Sequence, residues 1–385
     1  MKRLLKRLYR KLKGISPPVY NLGAGQLSGR PKKALLSYIT QPFRLPPNHP
    51  GNIRFSNNGI ARGIVRALNE LGYAVDVAEW QDRKFRPVNA YDVFIGHGGC
   101  NFESVSRFLP VSIPRIYFST GSYWRFANDR AELRLKALEQ RRGVKLLPER
   151  LNSKAEEWAN EQADAIICLG NRHVRETYSR FPNVYYLNNA AYPDARQLVP
   201  RDFSAARRNF LFFAGLGNVH KGLDLLLEAF SRSKAHLYVC QEIGRKFGAV
   251  YSRELRDCPN IHLAGATEMR SPQFYRLIDK CAFAIHPSCA EGQPGSVLEC
   301  MLHGLIPVLS RESNIDTDDY GVTLKDCSVE EILRTVNDLA GRPPEWCAEM
   351  SRKAGMAVAR FSEAAFVRNM KEILWAISGG SRVAA

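Results

Sequence analysis

Two stretches of the chain carry residues able to bind phosphate and sugar hydroxyls at places where alternating strands and helices would expose them. The first is Gly215-Leu-Gly-Asn-Val-His-Lys-Gly, a glycine loop directly after an apolar run, with Lys221 opening a helical stretch. Free amides at a helix N-terminus and an ammonium together suit a diphosphate, because charge-assisted hydrogen bonds add to the helix dipole. Standing alone, this loop is more simply a glycine turn with a solvated lysine. The second stretch is Ser288-Cys-Ala-Glu-Gly-Gln-Pro-Gly-Ser-Val-Leu-Glu, with Glu291 on a loop and Glu299 on the helix that Pro294 starts and Gly304 ends. A carboxylate at a strand-to-helix junction can accept from two adjacent sugar hydroxyls. The bland alternative makes Glu291 a helix N-terminal acid and Glu299 a surface residue.

The elements that must position these loops are legible as alternation. Strand-like runs at 34–40, 73–77, 93–96, 115–118, 165–169 and 184–187 are followed by a second series at 210–214, 236–240, 261–264, 283–286 and 306–309. Helical stretches such as 58–71, 131–140 and 154–162 separate them, which predicts parallel strands in an α/β fold. Ligands then bind beyond the carboxyl ends of the strands. The expected organisation is a basic amphipathic tail at 1–15, an irregular linker at 16–33, a first domain at 34–190, a second at 191–365, and a C-terminal helix and tail at 366–385 that packs back on the first domain. The segment 41–51 holds four prolines and reads as a loop that cannot be helical.

With 385 residues, 45% hydrophobic and 24% charged, the chain has the balance of two folded domains rather than a disordered polymer. Nine scattered cysteines without a CxxC pair argue against a disulfide framework and a zinc site. The net charge of +17 asks for an anionic partner, and much of it is concentrated before residue 15. No helix-turn-helix, zinc-finger or RNP-type pattern accompanies it, so nucleic acid is not the expected partner. Without a long apolar run or a signal-peptide h-region, the expected location is cytoplasmic, peripheral on the cytoplasmic face of the membrane.

Taken jointly, Lys221-Gly222 after a strand and glycine loop, Glu291 and Glu299 with Gly292 and Pro294 between them, then Gly304 and Pro307-Val308, resemble the donor domain of the family-4 retaining glycosyltransferases. The resemblance implies a GT-B fold, two doubly wound Rossmann-like domains facing a central cleft, and transfer of a sugar from a nucleoside diphosphate sugar with retention. It implies that Lys221 contacts the diphosphate, Glu299 the ribose and Glu291 the transferred sugar, with no metal or other cofactor. Gly215, Gly217, His220, Gly292, Gln293, Pro294, Gly295 and Ser296 complete the expected donor site.

Two positions depart from the family pattern. Leu216 stands where an arginine commonly follows the first loop's glycine, which leaves His220 as the local candidate for a second cation. Thr120 occupies the place of a frequent histidine, for which His97 is the substitute. His49, Gly51, Asn52 and Thr120 are the candidates on the acceptor side. A glycan or lipid-linked acceptor is expected, in cell-surface polysaccharide or lipopolysaccharide assembly. A sugar-nucleotide epimerase on the same fold and a non-catalytic basic nucleic-acid- or membrane-binding protein are the rival readings. Lys221→Ala and Glu299→Ala are expected to weaken donor binding and leave the fold intact. Leu4, Leu5, Leu8, Tyr9 and Leu12 recur at helical spacing among basic residues, the pattern of a helix lying on anionic lipid.

Overall fold

The computed structural model describes residues 14–379, apart from 28, 30, 47, 48, 50, 55 and 197–199. The expected amphipathic helix at 1–12 and the last six residues lie outside the described residues.

The first sheet contains β1 (Val19–Leu22), β2 (Lys32–Tyr38), β3 (Tyr73–Glu79), β4 (Val93–Gly96), β5 (Arg115–Ser119), β6 (Ala165–Leu169) and β7 (Val184–Leu187). Their order is β1-β3-β2-β4-β5-β6-β7, and every pair is parallel except β1 with β3. Central strands such as β4 and β6 are buried along their whole length, so they read as continuous apolar runs rather than alternating ones. β1 corrects the linker expected at 16–33. Its Pro- and Gly-rich surroundings hide a short edge strand, which is held by the Asn21 amide donating to Asp76 Oδ1 at 2.8 Å and by Lys33 Nζ donating to Asn21 Oδ1 at 2.8 Å. The loop at 41–51 is also not wholly irregular: Gln41–Phe43 form a 3₁₀ turn that takes Pro42 in its first positions, where a missing N–H costs nothing.

The second sheet contains β8 (Asn209–Phe213), β9 (His236–Cys240), β10 (Ile261–Leu263), β11 (Phe283–His286), β12 (Ile306–Ser310) and β13 (Val322–Leu324), all parallel, in the order β10-β9-β8-β11-β12-β13. The winding reverses between β8 and β11. The two loops singled out in the sequence are the ones that follow these neighbouring strands, so they open at the crevice that such a reversal creates.

Two helices cross between the domains. Glu363–Ile377 comes last in the chain but buries Phe366, Val367, Met370 and Leu374 in the first domain's core, beside Ile60, Ile64 and Leu68. Gly63 permits this approach, since a Cβ there would lie 2.7 Å from the Phe366 ring. Trp124–Arg142 does the reverse. It lies between β5 and β6 in sequence, yet Leu138 is fully buried in the second domain's core. Arg141 Nη2 donates to Asp224 Oδ2 at 2.6 Å, Arg142 Nη2 to Glu254 Oε1 at 2.6 Å, and Arg134 Nη1 to the Pro287 carbonyl at 3.1 Å. Leu138→Ala is expected to cost about 2–5 kcal/mol in urea denaturation, whereas Leu133→Ala on the exposed face should stay within about 0.5 kcal/mol. Equal costs would show that the helix does not dock as described.

Candidate active site

Lys221 and Glu291 arrive on separate loops and meet. Lys221 Nζ donates to Glu291 Oε1, and Ser288 Oγ donates to the same oxygen at 2.7 Å. His286 Nε2 lies 3.8 Å from Oε1, and Arg150 Nη1 lies 3.7 Å from Oε2. Both partners are buried. Burial alone would raise the Glu291 carboxyl, but the Lys221 ammonium, helped by His286 and Arg150, outweighs it and holds the group well below the usual carboxylate range. The close approach of the loops requires glycine at 222, where φ is +84° and a Cβ would stand 2.5 Å from the Pro287 carbonyl oxygen.

This pair sits at the edge of a cavity of about 510 Å³ between the two sheets. His220, Ala290, Glu291 and Gly292 line it from the second domain, and Trp80, Gln81, Arg83, His97, Asn101, Thr120 and Glu156 line it from the first. Arg150 and Asn152, from the segment after the crossing helix, close another side. Gly292 seals the junction: a Cβ there would lie 2.3 Å from Thr120 O and 3.1 Å from Leu169 O. The Glu291 carbonyl is fixed by the Ser122 amide at 3.1 Å, Ser122 Oγ at 2.8 Å and Asn314 Nδ2 at 2.7 Å. The carboxylate is therefore presented by a clamped backbone.

His97 is half-buried and lines the cavity from the end of β4. Burial lowers its pKa against a smaller opposite pull from the Phe118 carbonyl, so it is neutral near pH 7. Nδ1 lies 2.9 Å from that carbonyl and carries the proton, which leaves Nε2 as an acceptor. The ring is held edge-on between Tyr38 and Trp80.

His220 lines the cavity as an imidazole that is neutral near pH 7. Burial lowers its pKa to about 4, Glu291 only partly offsetting this, and its Nε2 donates to the Ala290 carbonyl at 2.6 Å. Gln293 faces the interdomain connector: its Oε1 accepts from the Asn189 amide at 2.7 Å, and its Nε2 donates to Asn188 Oδ1 at 2.8 Å and Asn314 O at 2.7 Å. Pro294 caps the helix Gly295–Leu302, Ser296 follows half-buried, and a Cβ on Gly295 would lie 2.9 Å from Ser56 of the first domain. Gly215 is tied through its carbonyl to Gln241 Nε2, and Gly217 turns at φ +102°. On the acceptor side Thr120 lines the cavity. His49, Gly51 and Asn52 are not among its lining residues; His49 Nδ1 accepts from the Gly51 amide at 3.0 Å, and Asn52 Nδ2 donates to Pro46 O at 2.9 Å.

Glu299 is buried but not free. Arg270 Nε donates to its Oε1 at 2.6 Å and Arg270 Nη2 to its Oε2 at 3.0 Å, while the same guanidinium also serves Tyr192 O and Pro193 O. His303 Nε2 lies 3.3 Å from Glu299 Oε1 and 3.2 Å from Asp194 Oδ2. Asp194, Glu299 and His303 converge closely enough to hold a metal ion, and the cation found among them is Arg270. Both Glu299 oxygens are thus already engaged by Arg270.

The sequence reading missed Arg150, Trp80 and Glu156. Burial pushes the Glu156 carboxyl up to about 7, against a smaller pull from the Tyr117 hydroxyl. No local pattern marks these residues, because each reaches the cavity from a segment whose path depends on packing.

Residues 207–341 match the family model described as Glycosyl transferases group 1. Lys221, Glu291 and Glu299 all lie within the matched residues. A comparison with curated proteins returned no match. Among solved structures, the chain is similar to S. aureus TarM at a TM-score of 0.54 and 13% identity, over 73% of this chain and 54% of TarM. It is also similar to Anabaena HepE in complex with UDP-glucose, at a TM-score of 0.56 and 13% identity over 90% of this chain and 100% of HepE. A third likeness is to WaaB, a lipopolysaccharide outer core galactosyltransferase in its apo form, at 0.58 and 13% over 90% of this chain and 99% of that one. The chain thus spans about half the length of TarM. Likeness at these identities concerns the fold, which is GT-B.

Proposed function

We propose that this chain is a retaining glycosyltransferase that moves a sugar from a nucleoside diphosphate sugar to a hydroxyl of a glycan or lipid-linked acceptor. The observation that carries the reading is the meeting of Lys221 and Glu291, on the loops after β8 and β11 within the matched residues, at the edge of a cavity whose other side is polar and belongs to the first domain. HepE, of the same fold, is complexed with UDP-glucose. Retention and the roles of donor groups follow the family-4 resemblance. In the transfer, the bond from the anomeric carbon to the diphosphate breaks with its electron pair going to the diphosphate, the acceptor oxygen bonds to that carbon, and the acceptor proton passes to the departing diphosphate oxygen. Neutral His97 offers an acceptor nitrogen to a sugar hydroxyl.

On this reading the polar lining of Gln81, Asn101, Asn128 and Asn152, with Trp80 as an apolar platform, suits a saccharide acceptor. Among the described residues no helix is long and apolar enough to cross a membrane, and attachment through the basic segment at 1–12 to the cytoplasmic face belongs to the same proposal.

Thermal unfolding against a panel of nucleotide sugars tests the donor class. A donor at 100 times its Kd should stabilise the protein by about 2.7 kcal/mol. Product formation with a saccharide acceptor, and the anomeric configuration of that product by NMR, then tests transfer and retention. No shift with any nucleotide sugar would sink the reading, and turnover of the donor to a new sugar nucleotide without acceptor would replace it with epimerisation.

A further inference from the structure

A departing nucleoside diphosphate concentrates negative charge where the glycosidic bond breaks, and preorganised cations there lower the barrier. In the donor loops this charge meets Lys221, which is already engaged with Glu291. His220 is neutral near pH 7, and Leu216 is 77% exposed and carries no charge. A second cation is nonetheless beside the loops. Arg150 lines the cavity with its Nη1 3.7 Å from Glu291 Oε2, on the side of that carboxylate away from the oxygen that accepts from Lys221. Glu291 is the carboxylate that Arg150 meets among the described residues. The Arg150 side chain is 46% exposed, so its guanidinium is open to a ligand in the cavity.

Arg150 belongs to neither donor loop. It follows the helix Trp124–Arg142, which docks on the second domain, and the adjacent Glu149 carboxylate accepts from the Asn218 amide inside the first glycine loop. The backbone there is pressed against that loop: a Cβ on Gly217 would stand 4.0 Å from Arg150 Cβ, and one on Gly244 3.2 Å from Glu149 Oε1. The arginine is thus anchored at its root beside Gly217, the neighbour of the exposed Leu216, while its head is partly exposed.

The geometry points to Arg150 as the second diphosphate-binding cation, delivered by the crossing arm to the place that Leu216 leaves without charge. This rests on the donor reading above. It also makes the donor site a composite, completed by a residue of the first half of the chain only when the arm is docked on the second domain.

Binding of UDP, GDP and ADP and of their nucleosides to the full chain, measured by calorimetry for the parent, Arg150→Ala and Arg150→Ala/Leu216→Arg, tests the assignment. Arg150→Ala should weaken the preferred nucleoside diphosphate on the order of 10- to 100-fold, the loss of one charged hydrogen-bonding partner. The matching nucleoside should bind it as it binds the parent, and Leu216→Arg should recover part of the lost diphosphate affinity. Parent-like diphosphate binding by Arg150→Ala, or equal weakening of nucleoside and diphosphate, would overturn the assignment while leaving the donor reading in place. Failure of the parent to bind any of the three diphosphates would remove both.

Discussion

Lys221→Ala is expected to lower kcat/KM by at least about 10- to 100-fold and, contrary to the expectation of an intact fold, to destabilise the protein by about 3–5 kcal/mol. The second effect follows from burial. Removing Lys221 leaves the Glu291 carboxylate in the interior without the ammonium that holds its charge, and a buried charge without its partner is costly. The pH dependence separates this from simple loss of packing. In the parent the Glu291 carboxyl titrates below its unfolded value, so the stability it contributes is present at neutral pH and is lost only as pH falls below the ordinary carboxylate range. In the variant burial dominates and the carboxyl titrates above its unfolded value, so its contribution is present at low pH and lost as pH rises. Urea denaturation at pH 5 and pH 8 should therefore show a smaller difference between parent and variant at pH 5. A variant with parental stability at both pH values would mean that the buried pair is not formed.

Glu299→Ala should cost a similar amount, about 3–5 kcal/mol, because it strips the buried Arg270 fork of both carboxylate oxygens. Arg270→Ala leaves Glu299 and Asp194 facing one another without the guanidinium, and should be comparably harmful. Combined, the two changes should cost less than their sum by about 0.5–3 kcal/mol, the signature of groups in contact. A double-mutant cycle in urea measures this directly. Strict additivity would dissolve the pair. It follows that loss of transfer in Glu299→Ala alone is not proof of a ribose contact; Glu299→Gln, which keeps one acceptor and the side-chain shape, is the milder variant, and its donor affinity is to be read beside its stability in urea.

What the sequence by itself determined is local. The strands at 93–96, 165–169, 236–240 and 283–286 are found at those residues because buried parallel strands must be nearly continuously apolar, and a run of that kind bounded by turn residues has few other uses. The glycine loop at 215–222 and the turn at 291–294 were legible for the same reason: positive φ at Gly217 and Gly222, and a proline before a helix, are demands of the backbone within a few residues. The order of β8 and β11 then brought the two loops together, as a doubly wound sheet must.

What lay beyond the sequence was decided by contacts between distant residues. Glu291 and Glu299 share a loop and helix and read alike, but one met Lys221 at the cavity and the other met Arg270 away from it, according to what the facing segments carried. Trp124–Arg142 is amphipathic too weakly to announce a partner, and only the burial of its Leu138 in the second domain's core and the pairing of its arginines with Asp224 and Glu254 explain why it crosses over. That crossing is what carries Arg150 to the donor loops. A cation's place in the chain records nothing of which charge it will face, because long-range position is set by packed surfaces and the interior's intolerance of unpaired charge, and neither has a period that a single sequence can display.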